Sequence, residues 1–481
     1  MCAGTVHVHF PVQAGRTARR IIMKLSKDIS LWEDSVRLKR YPRLEGVAGC
    51  EVLIIGGGMT GILTAHQLAA EGVDVAIAEA GRIGCGVTAG TTAKITSQHG
   101  LIYRTLVRNL GVESAKQYLK ANEEAIMQFG KLCEGEPDSC DFRRTSNYIY
   151  STGGTQVLEQ EMNALEQIGC TAARLRSGDS LELPFETDGA VEFPLQACFH
   201  PRKLLKHLTE GEKRLSSVIF ENSRITRLKR WPDGGWEAVS EHGSILADQV
   251  IFACHFPFID RRGGYFAKMY QSRSLVIAGR PGIAAELKGM YMDEEGSGLS
   301  FRSADGIILL GGGSGRPGKV DSSWQQLQEQ AEFLYPGWET RYRWAAQDCM
   351  TLDGRPYIGP YYGKAEPGEN HYGLWTATGF NKWGMTGSMV SAMVLTDMIC
   401  GRENECAEIF RPDRSVLKPQ LALNVLESAV NLLKPKVPRC RHLGCALTWN
   451  EEEQTWECPC HGSRYDKKGQ CIEGPSVKDL F

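Results

Sequence analysis

Apolar and polar positions follow one another along this chain in a few patterns, each with its own period. Val52 to Ile55 form a short continuous apolar run with a β-branched bias, which predicts a buried strand. The period then changes. Ile62, Leu63, Ala65, Leu68 and Ala69 recur at helical spacing, and Gly72 closes the run. Val73 to Ala78 is apolar again, a second strand, and ends on Glu79. Far downstream, "LWTATGFNKWGMTGSMVSAMVLTDMICG" (374–401) predicts a strand, a loop at Gly379 to Gly384 and a helix with apolar spacing. "SSWQQLQEQAEFLY" (322–335) has the pattern of an amphipathic surface helix. From Arg411 to Gln420 the chain turns polar and carries Pro412 and Pro419, which marks a boundary; "LALNVLESAVNLLK" (421–434) then predicts a short amphipathic connector. There is no internal repeat and no low-complexity segment.

Between the first strand and the first helix lie Gly56, Gly58 and Gly61, a G-x-G-x-x-G. Each glycine has a task there. Gly56 permits the tight turn, Gly58 lets backbone approach a pyrophosphate, and Gly61 lets helix pack on strand. The helix N-terminus faces the phosphates, and Glu79 can accept hydrogen bonds from a ribose diol. Such a glycine triplet alone is a weak signal; strand, helix and acid in register make a dinucleotide site. The motif does not choose between FAD and NAD. A second glycine stretch, "LLGGGSGRPGK" (309–319), is not a nucleotide loop. Its last motif position falls on Arg316, and no helical pattern opens there.

The choice rests on what surrounds the motif. A Thr/Gly segment at 88–92, "FHPRKLLKHL" (199–208), "DQVIFACH" (248–255), Asp353-Gly354 and the Gly379…Gly384 loop follow in order. With G-x-G-x-x-G and Glu79, this set resembles the glycine-oxidase/D-amino-acid-oxidase superfamily of FAD-dependent oxidoreductases over roughly residues 48–405. The resemblance implies an α/β Rossmann-like FAD-binding domain (about 48–140, 195–260 and 346–420) with an α+β substrate domain (about 141–194 and 261–345). It implies that Gly379, Trp383, Gly384, Met385 and Thr386 lie near the isoalloxazine, and Thr91, Thr92 and Lys94 near the pyrophosphate or flavin face. A helix beginning at Gly384 would aim its N–H groups at the flavin's carbonyl edge. His99, His200 and His255 sit among apolar or aromatic neighbours and read as structural histidines. Cys349 reads as a buried thiol rather than a flavin tether. "GGYFAKMYQSRS" (263–274) reads as aromatic core, with substrate-domain lining as the other possibility.

Composition narrows the class. The chain has 481 residues, 42% hydrophobic and 23% charged, room for two or three domains. A formal net charge of -2 and the lack of a long basic run argue against nucleic-acid binding. No apolar run is long enough to span a bilayer. Sixteen cysteines are too sparse for a disulfide scaffold; Cys50, Cys254 and Cys400 stand singly in apolar context, as buried reduced thiols of a cytoplasmic protein do. Residues 1–22 lack the apolar core of a signal peptide. The expectation is a native start at Met23, with residues 1–22 a non-structural extension; a basic targeting segment is the alternative.

The end of the chain is of another kind. In "CRHLGCALTWNEEEQTWECPCHGS" (440–463), Cys440-x-His442 and Cys458-x-x-His461 supply two thiolates and two imidazoles. Zinc would accept this set, and so would a 2Fe–2S centre with two histidines on one iron. The boxes "CRHLGC" and "CPCHGS" closely resemble those of a Rieske protein. The resemblance implies Cys440, His442, Cys458 and His461 as cluster ligands and a disulfide between Cys445 and Cys460. Gly444 and Gly462 would allow tight loops, and "GPS" (474–476) would form a third. This small β-rich unit, 433–481, departs from the family in one respect: only "PKVPR" separates the connector from Cys440, so the strands that usually precede the first box are missing. About fifty residues with few large apolar side chains bury little surface, so cluster, disulfide and docking on the flavoprotein (23–432) would have to supply stability.

Together these readings predict an oxidoreductase with FAD and a Rieske 2Fe–2S cluster. It would oxidise a C–H beside an amine or amino-acid-like nitrogen in a small molecule and pass electrons through the cluster to an external acceptor. Two alternatives stand: a reductase with electrons entering at the cluster from a donor protein, and an electron carrier or redox sensor without a substrate. No acid–base pair can be named, because cofactors carry this chemistry. Lys94, Tyr148, His200, Tyr270, Arg355 and Asn381 are the pocket candidates.

Overall fold

Three sheets organise the chain in the computed structural model. It describes residues 27–481 except 135–139, 212–214, 216–217, 232–233, 260–262, 284–285, 296–297, 320–322, 363–372, 416–420, 422–425, 427–429 and 434–436. The extension expected at 1–22 and most of the connector at 421–434 therefore lie outside the described residues.

The first sheet is the dinucleotide type. Parallel strands Leu374–Thr378, Gly243–Phe252, Gly46–Ile55, Val75–Ala78 and Ile219–Phe220 lie side by side in that order, with Tyr357–Pro360 antiparallel at one edge. The strand Gly46–Ile55 begins six residues before the apolar run, and only its last four residues are fully buried. The hydrophobic pattern marks where the strand passes under the helices; backbone pairing to Gly243–Ala247 carries it further. Helices Met59–Ala70 and Gly384–Ile399 pack against each other, tied near their N-terminal ends by Thr60 Oγ1 and Ser388 Oγ at 2.8 Å.

The second sheet has nine strands. Its spine is the antiparallel pair Met269–Arg280 and Glu339–Thr351, matched over twelve positions. Three of its strands reach beyond the expected substrate segments: Lys94–Ile95 joins it, Gly189–Cys198 passes residue 194, and Glu339–Thr351 runs on to the loop at Gly379. The helix Trp324–Leu334 lies on the surface with a Ser323/Gln326 capping box; Leu327 and Ala331 face inward and Phe333 outward.

The C-terminal sheet has four short antiparallel strands: Thr448–Asn450, Thr455–Glu457, Arg464–Asp466 and Cys471–Glu473. Its buried apolar core is Cys440, Cys445, Leu447, Cys458, Cys460, Tyr465 and Leu480. Four of these seven are cysteines, so little of that core is hydrocarbon. The unit leans on the spine of the second sheet. A Cβ on Gly462 would overlap the Gln271 side chain, and Gln347 Nε2 donates to Gly462 O at 2.7 Å. Arg273, 5% exposed, pairs with Glu453, which also pairs with Arg464; Arg464 reaches Glu457 and Glu473 as well.

Candidate cofactor sites

At the first site the strand Gly46–Ile55 ends and the helix Met59–Ala70 begins within four residues. Gly56 has φ +119°, and a Cβ there would overlap the Ala253 carbonyl oxygen of the neighbouring strand end. A Cβ on Gly61 would overlap Gly56 O. Only glycine fits either place. Gly58 is the N-cap and offers no side chain to the helix's free N–H groups, and no acid lies in the first turn, so the positive end is left for an anion. Glu79 closes the site. Its carboxylate takes N–H groups from Gly57 and Gly81, both at 2.7 Å. Burial raises its carboxyl above the ordinary range, and those two donors only partly oppose this. The Thr/Gly segment lines one side: Thr88 Oγ1 accepts from Met59 N at 3.0 Å, and Thr91 O accepts from Trp32 Nε1 at 2.7 Å.

The helix Gly384–Ile399 repeats the arrangement. Trp383 caps it without a side-chain hydrogen bond, and again no acid lies in the first turn. The loop before it holds three left-handed residues, Gly379 (φ +74°), Asn381 (φ +51°) and Lys382 (φ +72°). Asn381 explains how two non-glycine residues stay there. Its Oδ1 accepts from Thr351 N at 2.7 Å, its Nδ2 donates to Gly379 O at 2.7 Å, and its N–H reaches Cys349 O at 3.0 Å. His99 stacks on Trp383 (4.9 Å, 15°) and lies 3.0 Å from Thr386 Oγ1. Burial pushes its pKa down to about 3, so the ring is a neutral brace. Two helix ends whose N-cap residues give no side-chain hydrogen bond, side by side over a glycine cradle and an inward acid, fit an FAD: pyrophosphate at one, flavin at the other.

At the C-terminal site the two boxes fold as matching loops. Gly444 N bonds Cys440 O and Gly462 N bonds Cys458 O, each at 2.9 Å. Cys440 and Cys458 approach each other, and the rings of His442 and His461 lie 5.1 Å apart at 86°. Neither ring nitrogen of buried His461 finds a hydrogen-bond partner among the described residues. Cys458 is held well below the usual thiol range by its neighbours Cys440, Cys445 and Cys460. An orphaned imidazole and a thiolate-favouring sulfur fit a metal centre. Tyr465 OH lies 3.5 Å from Cys440 Sγ, and Ser463 Oγ accepts from Ser476 N in the third loop at 3.0 Å. No bond joins Cys445 to Cys460, the pair expected as a disulfide, in this structure; their sulfurs lie with that of Cys458 within 4.8 Å of one another.

The histidine edge faces inward. His442 meets Phe256 edge-on at 6.3 Å, and His461 meets Phe266 at 6.1 Å. Behind Phe256, His255 Nε2 lies 3.3 Å from Cys349 Sγ. Burial keeps the Cys349 thiol far above its usual range, as an inert thiol rather than a nucleophile.

The other candidates scatter. Lys94 is buried in the second sheet and donates to Tyr291 O (2.7 Å) and Ser300 Oγ (2.6 Å); burial and then Arg302 lower its pKa to about 7. The carbonyl of Thr92 accepts from Arg302. Tyr148 bonds Glu192, and His200 bonds Ser35. Arg355 pairs with Asp353, which Arg414 also grips. Asn381 lies within the loop at 379–383, and Tyr270 pairs with Met350 near the end of the strand Glu339–Thr351. Met385 is buried at the start of its helix. Residues with no motif complete the picture: Trp32 behind the Thr/Gly segment, and Gln271, Arg273, Gln347, Phe256 and Phe266 under the C-terminal loops. Their roles depend on chain segments 59 or more residues away, so no local pattern could mark them.

Comparison with known proteins accords with these two sites. Residues 51–398 match the FAD dependent oxidoreductase family, and residues 430–481 match the Rieske [2Fe-2S] domain. A Bacillus subtilis protein named for a Rieske 2Fe-2S centre, YhfW, is 32% identical across 93% of this chain and 96% of its own length. The cytochrome b6-f complex iron-sulfur subunit 1 of a Nostoc species is 51% identical over 41 residues, which is 8% of this chain and 23% of that protein. Glycine oxidase from Geobacillus kaustophilus has the same fold at a TM-score of 0.61 and 18% identity, over 76% of this chain and 99% of its own. The α/β architecture, the FAD and the 2Fe–2S cluster expected from the sequence therefore stand, and the chain belongs to the family of FAD-dependent oxidoreductases, with a Rieske domain at its C-terminal end.

Proposed function

We propose that this oxidoreductase removes a hydride from carbon next to the nitrogen of an amine or amino acid, and sends the electrons through its Rieske cluster to an external acceptor. The observation that carries this reading is the inward turn of the cluster loops. Gly462 O is bonded by Gln347, two residues before Cys349, whose carbonyl holds Asn381 in the loop at the flavin helix. A cluster meant only for an outside partner would gain nothing from this placement. The glycine oxidase fold supports the amine half of the proposal. When bound, FAD supplies two-electron chemistry at C–H bonds and the cluster supplies one-electron exchange.

The chain's own residues do the rest. In this reading Gly56, Gly58, Gly61 and Glu79 hold the adenosine and pyrophosphate end, with Thr91 and Thr92 alongside. Gly379, Trp383, Gly384, Met385 and Thr386 shape the flavin end, which His99 braces. Cys440, His442, Cys458 and His461 hold the irons, and Phe256 and Phe266 exclude water from the histidine edge. No helix among the described residues is long and apolar enough to cross a membrane. The test is anaerobic titration of the full chain with a panel of amines and amino acids. Flavin should bleach first, and the cluster's visible absorption should follow. If no amine bleaches the flavin but a reduced donor protein fills the cluster, electrons run the other way.

A further inference from the structure

Residues 90–93 belong to no helix or strand, yet four successive carbonyls there are each taken by a side chain from a distant element. Trp344 Nε1, on the long strand of the second sheet, donates to Gly90 O at 2.9 Å. Trp32 Nε1, on the helix Leu31–Ser35, donates to Thr91 O at 2.7 Å. Arg302 Nη1, on the strand Ser300–Ala304, donates to Thr92 O at 2.7 Å and to Ala93 O at 2.6 Å. All three side chains are buried, and the Arg302 guanidinium lies 5.4 Å from the centre of the Trp32 ring. These peptide units are trans, so each N–H points opposite to the C=O that shares its plane. Holding Gly90 O and Thr91 O on one side therefore turns the N–H groups of Thr91 and Thr92 to the other. Neither of these N–H groups finds a hydrogen-bond partner among the described residues. Ala93 N, next along the chain, is occupied by Thr91 Oγ1 at 2.9 Å, and Ala93 itself is left-handed (φ +56°). Thr91 and Thr92 are half-buried. Two adjacent unpaired donors in such a place are costly unless a ligand takes them.

We propose that Trp344 and Trp32 are positioning residues for FAD: by holding the carbonyls of Gly90 and Thr91 from behind, they present the Thr91 and Thr92 N–H groups as two adjacent donors to an electron-rich oxygen of the cofactor. The proposal rests on the reading above that sets Thr91 and Thr92 alongside FAD, and it adds the atoms by which they act and the side chains that aim them. Indole suits this task because its N–H donates and the ring has no acceptor, so neither tryptophan can turn the peptide round and take the N–H groups instead. A carbonyl that accepts a hydrogen bond also polarises its peptide unit, which makes the N–H on the far side a stronger donor. Arg302 fixes the two peptide units that follow. The holders come from the N-terminal helix and from two strands of the second sheet, so FAD retention depends on elements outside the glycine turn.

The experiment compares Trp32→Phe and Trp344→Phe with Trp338→Phe in the full-length protein. Each replacement removes one buried indole N–H and keeps an aromatic ring; Trp338 Nε1 donates to Thr340 Oγ1 at 2.7 Å and takes no part in residues 90–93. FAD released on dilution is read from its fluorescence. Trp32→Phe and Trp344→Phe should weaken FAD binding about threefold to tenfold, the worth of one hydrogen bond, and Trp338→Phe should leave it unchanged. Amide hydrogen exchange gives a second readout that lost stability would not mimic: loading with FAD should protect Thr91 and Thr92 in the wild type, and protect them less in the two variants. Titration of flavin-depleted protein with ADP and with riboflavin, the two halves of the cofactor, finds the oxygen. Binding of the half that bears it should fall in both variants, and a fall in neither overturns the proposal. Equal weakening of FAD by all three replacements means lost stability rather than lost aim, and overturns it too. The remaining failures have separate signatures. If FAD leaves exchange at Thr91 and Thr92 unchanged in the wild type, the placement of these residues at FAD fails and the proposal with it. If FAD protects them equally in wild type and variants, the placement stands and the role of the tryptophans alone is overturned.

Discussion

At the glycine turn, strand and helix are held by Val52, Ile54, Ile62, Leu63, Leu68 and Ile77, aliphatic residues buried whether or not a ligand is present. At the cluster loops, most of what is buried is cysteine and histidine, the groups that would hold the metal. The first site is a gap in an existing core; the second is a core that its cofactor completes. Hydrophobic burial scales with apolar area, so the flavoprotein can hold its shape alone, while the Rieske unit depends on iron and on its neighbour. This contrast can be broken or sharpened by experiment.

The largest effect should follow loss of a ligand. Cys458→Ala should abolish iron binding and expose residues 437–481 to hydrogen exchange and protease, while FAD stays bound with an unchanged spectrum. Cys445→Ala should keep its iron but lose it faster to chelator. Equal iron loss in both variants would mean that the thiols do not divide into ligands and supports, and stoichiometric zinc without iron would point to a different centre.

Next comes the docking contact. Arg273→Met removes one of the two cations that hold Glu453 and Glu473 while Arg464 remains, so the cost should fall below the ~3–5 kcal/mol of a buried pair broken outright. Rapid mixing should show slower passage of electrons from flavin to cluster, with FAD content unchanged. Gly61→Ala attacks the other site. The methyl meets Gly56 O, and overpacking of this kind costs about 1–3 kcal/mol. FAD content should fall and iron content should hold, the reverse of Cys458→Ala.

The smallest effect is acid sensitivity of the docked unit. Burial works against ionisation of Glu473, but Arg464 and Arg273 outweigh it and hold the carboxyl below its ordinary 4.5. An acid whose folded value lies below its unfolded one stabilises fully above the unfolded value. That stabilisation is lost as pH falls from 4.5 through the folded value. Proteolysis of the C-terminal unit should therefore rise across that window, and Glu473→Gln should flatten the rise.

How far these features could be read from the chain depends on how local their causes are. Gly56, Gly61 and Glu79 act within one strand–helix–strand unit, so their spacing carries the site. Cys440, His442, Cys458 and His461 lie in two short loops and are legible for the same reason. The disulfide was expected from a resemblance and depends on where three sulfurs meet in space, so spacing could not supply it. Tyr148 and His200 stood among the pocket candidates; their partners Glu192 and Ser35 lie 44 and 165 positions away, so no local pattern could name those contacts.

By itself, then, the sequence determined the two cofactors, the order of the elements that hold them and the class of redox chemistry, because each rests on contacts between residues close along the chain. Only the tertiary structure decided that the cluster's histidine edge faces Phe256 and Phe266 and that Arg273 and Gln347 dock the small domain. Those pairings join segments 115 to 195 positions apart. Strand alternation turned Gln347 to the cluster and Asp348 to the opposite face, and alternation is expressed only once the strand has partners on both faces.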